Sequence, residues 1–379
     1  MRPRFAAWFD ASSHGTMMSG ANSRPNIRGR AAGVQPDNPY LHTRQVDDFE
    51  HVAEDEEYLD ALDRPPTQYL DDESQSIVAT NDSPDVSFNY SVNPYRGCSH
   101  GCSYCYARPG HEYLGMSAGI DFETKILVKR RAPELLRAFL ARPKWTAETI
   151  VFSGVTDCYQ PAEREFKLTR GCLEVLAECR QPVGLITKNA LITRDVDLLQ
   201  ELAAHQAVRV AISVTTLDQS LVRVMEPRTS APTARLRAIE TLAKAGVPTN
   251  VMIGPIIPGL TDSEVPAILK AASEAGAIGV HHTILRLPTT VKDVFLDWIA
   301  RQRPNHAAKV EAFVRAARGG KLNTPEFGKR MRGTGPLADQ IEQTLRVFTK
   351  RYGLDGKSPP LSNKAFRPPR ISGEQLPLF

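Results

Sequence analysis

The chain has 379 residues and a formal net charge of +4, which is enough length for one large domain or a barrel with appendages. Hydrophobic residues make up 41% of it, the ordinary share for a globular protein with a sizeable core. No apolar run approaches the ~18–20 residues that a membrane helix needs, and residues 1–13 lack the apolar core of a signal peptide. We therefore expect a cytoplasmic protein with no membrane partner.

The charge is unevenly distributed along the chain. Residues 46–90 contain fourteen Asp and Glu against Arg64 alone, whereas residues 301–379 contain sixteen Lys and Arg against six Asp and Glu. A basic C-terminal region fits a polyanionic partner such as DNA. The alternative is solubility alone, because surface charge also supplies it.

The N-terminal part lacks hydrophobic periodicity. Residues 1–45 are rich in Gly, Ser, Asn, Pro and Arg, a composition typical of flexible segments. The acidic residues 46–62 suit a polar helix that would end at Pro65 and Pro66. We expect residues 1–86 to form a flexible, acidic N-terminal region.

Residues 87–300 alternate between short apolar runs and stretches of helical periodicity. This alternation predicts parallel strands joined by right-handed helical crossovers, and six such units suit an α/β fold of the partial (βα)6 TIM-like barrel type. The predicted strands are 86–92, 149–152, 183–187, 208–214, 248–253 and 280–285. The predicted helices are 163–180, 195–204, 233–245, 262–275 with Asp262 as N-cap, and 290–301.

The pattern changes after residue 300. Helices are expected over 305–318 and 337–352, so residues 301–358 form a small, basic helical C-terminal extension. Residues 359–369 are rich in proline and predict an extended linker, which begins a last region of residues 359–379.

One stretch carries most of the chemistry. Cys98, Cys102 and Cys105 have the spacing C-x3-C-x2-C. Three thiolates in one short loop select a soft site, namely zinc, copper(I) or an iron–sulfur cluster. Three ligands to a 4Fe–4S cluster leave one iron open to chelate a small molecule. The alternative is a structural zinc site completed by His100 or His111.

The motif resembles the radical S-adenosylmethionine (SAM) superfamily, and its Cys-x-Tyr-Cys-Tyr ending is similar to the spore photoproduct lyase-like branch of uncharacterised bacterial proteins. The resemblance implies a 4Fe–4S cluster and S-adenosylmethionine, cleaved by one electron to methionine and a 5′-deoxyadenosyl radical. It also implies an electron donor such as flavodoxin or ferredoxin. Tyr104 and Tyr106 fall where that branch has tyrosines that serve as hydrogen-atom donors or relays.

Chemistry in a parallel α/β sheet collects at the C-terminal ends of the strands, and this rule selects further candidates. Ser153, Gly154, Thr156 and Asp157 follow the second strand, where Asp157 is the better acceptor for an ammonium group. The resemblance identifies this loop as the one that binds the amino group of S-adenosylmethionine. The alternative for Asp157 is a turn or helix cap.

Later strand ends supply more candidates. The resemblance points to Lys188 for the cofactor carboxylate and to Ser213 for its ribose or methionine. Arg228 has the planar fork that binds carboxylate or phosphate, and Arg286 follows the sixth strand, where it faces either a substrate phosphate or an ion-pair partner. A surface role for Lys188 and a backbone-satisfied hydroxyl at Ser213 are the alternatives.

The sequence departs from the lyase branch at one position. The hydrogen-donor cysteine of that branch would fall at Val155, and Cys158 stands three residues later as a candidate catalytic replacement. A small buried filler is the usual role of such a cysteine.

The last residues form a second informative stretch. Gln375, Leu376, Leu378 and Phe379 belong to a Gln-Leu-Pro-Leu-Phe tail whose apolar side chains suit a partner pocket. The tail closely resembles the motif by which bacterial repair proteins bind the DNA polymerase sliding clamp. Docking of the tail on its own barrel is the alternative.

These features predict a radical SAM enzyme, lyase-like or hydrogen-abstracting, that acts on DNA or a nucleic-acid lesion in repair. Two other hypotheses stay open at this point. One is a radical SAM enzyme that modifies a protein or a small molecule, and the other is a non-enzymatic, zinc-containing nucleic-acid-binding module.

Overall fold

The computed structural model describes residues 29–36, 38–40, 65–356 and 358–370. Ten strands occur in this part of the chain: β1 (Gln68–Asp71), β2 (Val78–Thr80), β3 (Tyr90–Val92), β4 (Tyr95–Arg96), β5 (Lys125–Val128), β6 (Ile150–Phe152), β7 (Val183–Thr187), β8 (Val208–Ser213), β9 (Thr249–Ile256) and β10 (Val280–Ile284). Seven of them form the central sheet, in the order β10-β9-β8-β7-β6-β3-β2.

Six neighbouring strands of the central sheet, from β10 to β3, run parallel, and β2 joins the β3 edge antiparallel. These six are the strands that the sequence predicts. No pairing between the two edge strands closes the sheet within the described residues. The predicted α/β class and open, partial-barrel arrangement are confirmed.

Eleven α-helices are found in the described residues: α1 (Ile120–Thr124), α2 (Ala132–Leu140), α3 (Glu163–Phe166), α4 (Leu168–Cys179), α5 (Val196–Ala204), α6 (Gln219–Met225), α7 (Pro232–Lys244), α8 (Val265–Glu274), α9 (Val291–Gln302), α10 (Pro304–Ala316) and α11 (Pro336–Arg351). Short 3-10 helices cover Arg108–Leu114, Ala190–Asp195 and Asp262–Glu264. No helix in these ranges is long and apolar enough to cross a membrane.

The main core lies between the parallel sheet and the helices that cover it. Phe152 of β6, Leu185 of β7 and Ile212 of β8 are buried there, and Leu345 brings α11 into the same cluster. Strands buried on both faces are apolar almost throughout, which is why short apolar runs identified them.

Several local predictions were wrong. The helix expected over 163–180 breaks at Lys167, whose φ of +51° separates α3 from α4. Asp262 does not cap α8, because it begins a 3-10 helix and its carboxylate accepts the N–H of Gly259 at 2.8 Å. The sequence also missed a second sheet, in the order β1-β5-β4, whose strands are too short for a periodic signal.

Two segments, one expected to be flexible and the other an extended linker, are held against the rest of the protein. Ala31 and Ala32 are buried, so that expectation does not hold for residues 29–36. Residues 358–370 follow the surface instead of forming a free linker. The N–H groups of Ser362 and Arg367 bond the carbonyls of Gln206 and Cys179, each at 2.9 Å. The helix expected over 46–62 lies outside the described residues.

Truncating Phe152 tests whether this core holds the strand ends together. We expect Phe152→Ala to lower the free energy of unfolding by about 3–5 kcal/mol, because it leaves a cavity under β6. Val347→Ala on α11 is the control, since Val347 is 49% exposed and its loss should cost less than about 0.5 kcal/mol. Urea unfolding measures both, and equal costs would contradict the account.

Candidate active site

The cysteine loop, defined as residues 97–106, follows β3 and β4 at the C-terminal edge of the parallel sheet. Its backbone is irregular, with left-handed φ values of +77° at Gly97 and +67° at Gly101. A side chain at Gly97 would put its Cβ 2.7 Å from His111 Cε1, so glycine is required there by both conformation and space.

A buried guanidinium satisfies much of this irregular backbone. Arg108 is fully buried and donates to the carbonyl of Cys102 at 2.7 and 3.2 Å, and to those of Ala118 and Gly119 at 3.0 Å. Its charge is balanced by Glu123 at 2.5 Å, which is also fully buried. Five donors in a rigid fork suit this task, which a lysine cannot perform.

Gln160 attaches the cysteine loop to the chain that follows β6. Its Oε1 accepts the N–H of Ser99 at 2.9 Å, and its Nε2 donates to the carbonyl of Gly97 at 3.0 Å. Gln160 is fully buried, so these bonds satisfy groups that water cannot reach. Sequence reasoning missed this role, because a lone glutamine in a loop belongs to no recognisable pattern.

The three cysteine thiols lie in one low-dielectric site. Cys98 and Cys102 are buried and Cys105 is half-buried. Burial, with nearby negative charge, raises the pKa of Cys98 to about 12 and moves the pKa values of Cys102 and Cys105 upward as well. Thiols with raised pKa values keep their protons until a metal cation replaces them. Three soft sulfur ligands of this kind fit an iron–sulfur cluster.

The histidines of the zinc alternative are engaged elsewhere. His100 Nε2 contacts Asn189 Nδ2 at 3.3 Å, and His111 Nε2 contacts the Lys125 carbonyl at 2.9 Å. Burial lowers the pKa of His100 to about 4, so the ring is neutral. Within the described ranges, no group of three or more His, Cys, Asp or Glu side chains is arranged around a single metal ion. Because this finding also covers the three thiols, what speaks against the zinc alternative is that His100 and His111 are bound to other groups.

Asp157 joins three strand ends. Its carboxylate accepts the Tyr159 N–H at 2.9 Å, the Thr187 hydroxyl at 2.7 Å and the Lys188 N–H at 2.8 Å. His100 Nδ1 of the cysteine loop lies 3.5 Å away. A carboxylate has about four acceptor sites, so these contacts take most of its capacity. The bond from the Tyr159 N–H is a turn contact, which is the alternative role given above for Asp157.

The remaining candidates of the Asp157 loop also have internal partners. Ser153 has a φ of +65°, and its hydroxyl accepts the Cys158 N–H at 2.9 Å. The Thr156 hydroxyl donates to the Tyr95 carbonyl at 2.7 Å. A non-glycine residue in the left-handed region at a strand end indicates a strained loop, which is common at functional sites.

Tyr104 belongs to a buried network that the sequence did not predict. Its hydroxyl donates to Glu226, which also accepts the Thr215 hydroxyl at 2.7 Å and pairs with the Arg235 guanidinium. Burial alone would raise the pKa of Glu226, but the charges of Arg235 and Lys188 outweigh it and hold that pKa at about 2. Burial and Glu226 together raise the pKa of Tyr104, so its phenol stays protonated.

The other cofactor candidates surround this network unequally. The Lys188 ammonium lies 5.8 Å from the centre of the Tyr104 ring and has no ion-pair partner within the described residues. Ser213 is buried, and its carbonyl accepts Arg235 Nη1 at 3.1 Å. Arg228 is exposed, outside the network.

Tyr106 and Arg286 meet at the open side of the site. The Tyr106 hydroxyl donates to the Gly154 carbonyl at 2.7 Å, and the Arg286 guanidinium lies 5.3 Å from the Tyr106 ring centre. Arg286 has no carboxylate partner within the described part of the chain, so the ion pair considered for it is not found there. Val155 is 48% exposed beside them.

Cys158 does not fit the catalytic role proposed for it. The side chain is fully buried in the main core, as expected of a small buried filler. Burial raises the pKa of its thiol well above the ordinary value. The tail residues Gln375, Leu376, Leu378 and Phe379 lie outside the described residues.

Comparisons with known proteins agree with this geometry. The radical SAM superfamily model matches residues 92–272. An uncharacterised protein of Mycobacterium tuberculosis is 39% identical over 232 residues, which cover 61% of this chain and 68% of that protein. An uncharacterised protein of Methanocaldococcus jannaschii is 31% identical over 175 residues, which cover 46% of this chain and 63% of that protein.

A solved structure extends the likeness to the fold. A spore photoproduct lyase variant with bound AdoMet and dinucleoside spore photoproduct has a TM-score of 0.55 and 16% sequence identity. The match covers 81% of this chain and 85% of the lyase. At this identity the likeness shows a common fold.

The low pKa of Glu226 predicts a pH dependence of stability. Because this pKa is lowered from 4.5 to about 2 on folding, the ionised carboxylate stabilises the fold above about pH 4.5, and its contribution is lost as the pH falls towards 2. We expect Glu226→Gln to cost about 3–5 kcal/mol at neutral pH, since it leaves the buried Arg235 charge unpaired. The difference from wild type should shrink between about pH 4.5 and 2.

Chemical unfolding of the metal-free protein across this pH range measures the effect. Glu201→Gln is the matched control, because Glu201 is exposed on α5 and should leave the profile unchanged. A constant difference between wild type and Glu226→Gln at all pH values would contradict the assignment.

Proposed function

Because this chain belongs to the radical SAM superfamily, it is an enzyme of a family that uses a 4Fe–4S cluster and S-adenosylmethionine, and we propose that its substrate is DNA or a nucleic-acid lesion. The observation that carries the proposal is the position of the cysteine loop, at the C-terminal edge of the parallel sheet. The fold is similar to that of a lyase whose structure contains a dinucleoside spore photoproduct. The basic residues of the C-terminal region support a polyanionic substrate.

Cys98, Cys102 and Cys105 would hold the cluster. When bound, the cluster supplies the electron that cleaves S-adenosylmethionine to methionine and a 5′-deoxyadenosyl radical. The residues of this chain fix the thiols in place, because Arg108 and Gln160 bind the loop backbone on both sides of them. Such preorganisation is what a reactive site requires of its surroundings.

The contacts divide the cofactor candidates by role. Asp157 acts as a positioning residue, since its oxygens are taken by Thr187, Lys188 and the chain after it. The Lys188 ammonium has no carboxylate partner in the described residues and is therefore suited to the cofactor carboxylate. The Gly154 carbonyl accepts the Tyr106 hydroxyl with one lone pair, and its second lone pair suits the cofactor amino group.

Ser213, Thr156 and Ser153 support these residues through the backbone and loop contacts described above. Arg228, which is exposed, would contact the cofactor or substrate only from the rim of the site. Tyr104 is held by Glu226 with its proton retained, and Tyr106 lies on the open side. Tyr106 is thus better placed than Tyr104 to donate a hydrogen atom to a substrate radical.

Formation of 5′-deoxyadenosine tests the proposal. After anaerobic reconstitution, dithionite and S-adenosylmethionine should yield 5′-deoxyadenosine, and ultraviolet-damaged DNA should increase the yield several-fold. Cys98→Ala, Cys102→Ala and Cys105→Ala should each abolish the product, because each removes a cluster ligand. Cys172→Ala is the control, since Cys172 lies on α4 and is buried in the main core.

Two outcomes would contradict separate parts of the proposal. Retained cleavage in any of the three ligand variants would refute the ligand assignment. An equal yield with and without DNA would favour a protein or small molecule as the substrate instead.

We also propose that the C-terminal tail binds the DNA polymerase sliding clamp. Residues 358–370 bond the carbonyls of Cys179 and Gln206, which precede β7 and β8. Residue 370 therefore lies towards the N-terminal edge of the sheet, opposite the cysteine loop. A clamp bound to the residues that follow would leave the open side of the site accessible.

A pulldown with the purified clamp tests this partner. We expect the intact chain to be retained and a Leu378→Ala/Phe379→Ala variant to be lost, because the variant lacks the two apolar anchors. A variant with Ile371→Ala is the control, since this residue precedes the motif. Equal retention of the intact chain and the double variant would remove the clamp from the proposal.

A further inference from the structure

An open groove of about 340 Å³ is formed by the segment that follows β10, by α9 and α10, and by the loop after α10. Three cations line it, and they come from three separate segments: Lys292 from α9, Arg315 from α10 and Lys321 from the loop after α10. No carboxylate is among the lining residues. A concave surface with one sign of charge concentrates counter-ions of the opposite sign.

The charges in the groove are only partly compensated. Arg315 pairs with Glu311 at 2.7 Å. Lys292 and Lys321 are exposed and have no ion-pair partner within 29–36, 38–40, 65–356 and 358–370. Two unpaired ammonium groups beside an arginine give the groove a net positive charge that the described residues do not neutralise.

The side-chain amide of Asn323 has one polar atom without a hydrogen-bond partner among the described residues. Asn323 lines the groove, and its Oδ1 is buried with no hydrogen-bond partner in the described structure. The NH2 at the other end of the amide is the group that can donate to an anion in the groove.

The groove and the open side of the active site share the segment that follows β10. Leu287 lines the groove and its N–H bonds the Leu322 carbonyl at 3.1 Å, which holds the loop after α10 against the end of β10. The adjacent residue, Arg286, lies over the ring of Tyr106. Consecutive residues of this segment therefore reach the groove and the open side of the site.

We propose that this groove binds a backbone phosphate of the nucleic-acid strand whose nucleotide enters the active site. The inference rests on the proposed function, and it assigns Lys292, Arg315, Lys321 and Asn323 to a phosphate next to that nucleotide. Lysine, arginine and amide groups are the usual donors to phosphate oxygens, and such contacts fix the register of a strand without reading its sequence. The groove thus positions the strand, while the site selects the lesion.

Salt dependence of DNA binding tests the groove. Fluorescence anisotropy of a labelled single-stranded oligonucleotide with the reconstituted full chain gives the slope of log K against log salt concentration. Loss of one phosphate contact lowers the magnitude of this slope by about 0.7 for a single strand. Lys292→Gln/Lys321→Gln, which removes both free ammonium groups from the one phosphate, should therefore lower it by about 0.7 and weaken binding at low salt.

Lys244→Gln/Lys270→Gln is the matched control. It makes the same change in net charge at exposed lysines of α7 and α8, which pair with Glu240 and Glu274. The groove proposal predicts a smaller slope only for the Lys292/Lys321 variant. Equal slopes in the two variants would overturn the groove and leave the proposed function intact, whereas a wild-type chain that binds no DNA would overturn both.

Discussion

The site depends on the buried pair between Arg108 and Glu123. The cysteine loop is irregular and bonds other segments, as the Cys98 N–H does to the Phe122 carbonyl at 2.9 Å and the Ser103 N–H to the Met225 carbonyl at 3.0 Å. Buried carbonyls without partners are costly. One guanidinium supplies partners for the carbonyls of Cys102, Ala118 and Gly119, and Glu123 neutralises it at 2.5 Å. Breaking such a pair leaves an uncompensated charge in the interior, at a cost of about 3–5 kcal/mol.

Other contacts around the cysteine loop are also made by buried or partly buried carboxylates that bond groups from several segments. Glu123 also accepts the N–H of Ala32, and thereby ties residues 29–36 to the site. Asp157 connects the loops after β6 and β7, and Glu226 connects Tyr104 to the helix that carries Arg235. Each carboxylate links elements that are distant in sequence. The thiols are therefore held by a polar framework, which is the kind of support that keeps reacting groups in register.

This framework explains what the sequence could and could not predict. Strands such as β6 and β8 were predictable because burial on both faces makes them apolar runs. Cys98, Cys102 and Cys105 were predictable because their spacing is local. Arg108, Gln160 and Glu226 were not, since their partners lie in other segments and no local pattern marks a buried ion pair. Asp157 was found by its place at a strand end, but its role as a junction depends on contacts with β7 that only the fold brings about.

Removing the loop cysteines and the core cysteines in separate variants tests whether the cysteine loop is the cluster site. Iron and sulfide are measured per chain after anaerobic reconstitution of two triple variants, Cys98→Ala/Cys102→Ala/Cys105→Ala and Cys158→Ala/Cys172→Ala/Cys179→Ala. The account predicts about four irons and four sulfides in the folded fraction of the second variant and none in the first. Iron retained by the first variant, or zinc in place of iron in the wild type, would contradict it.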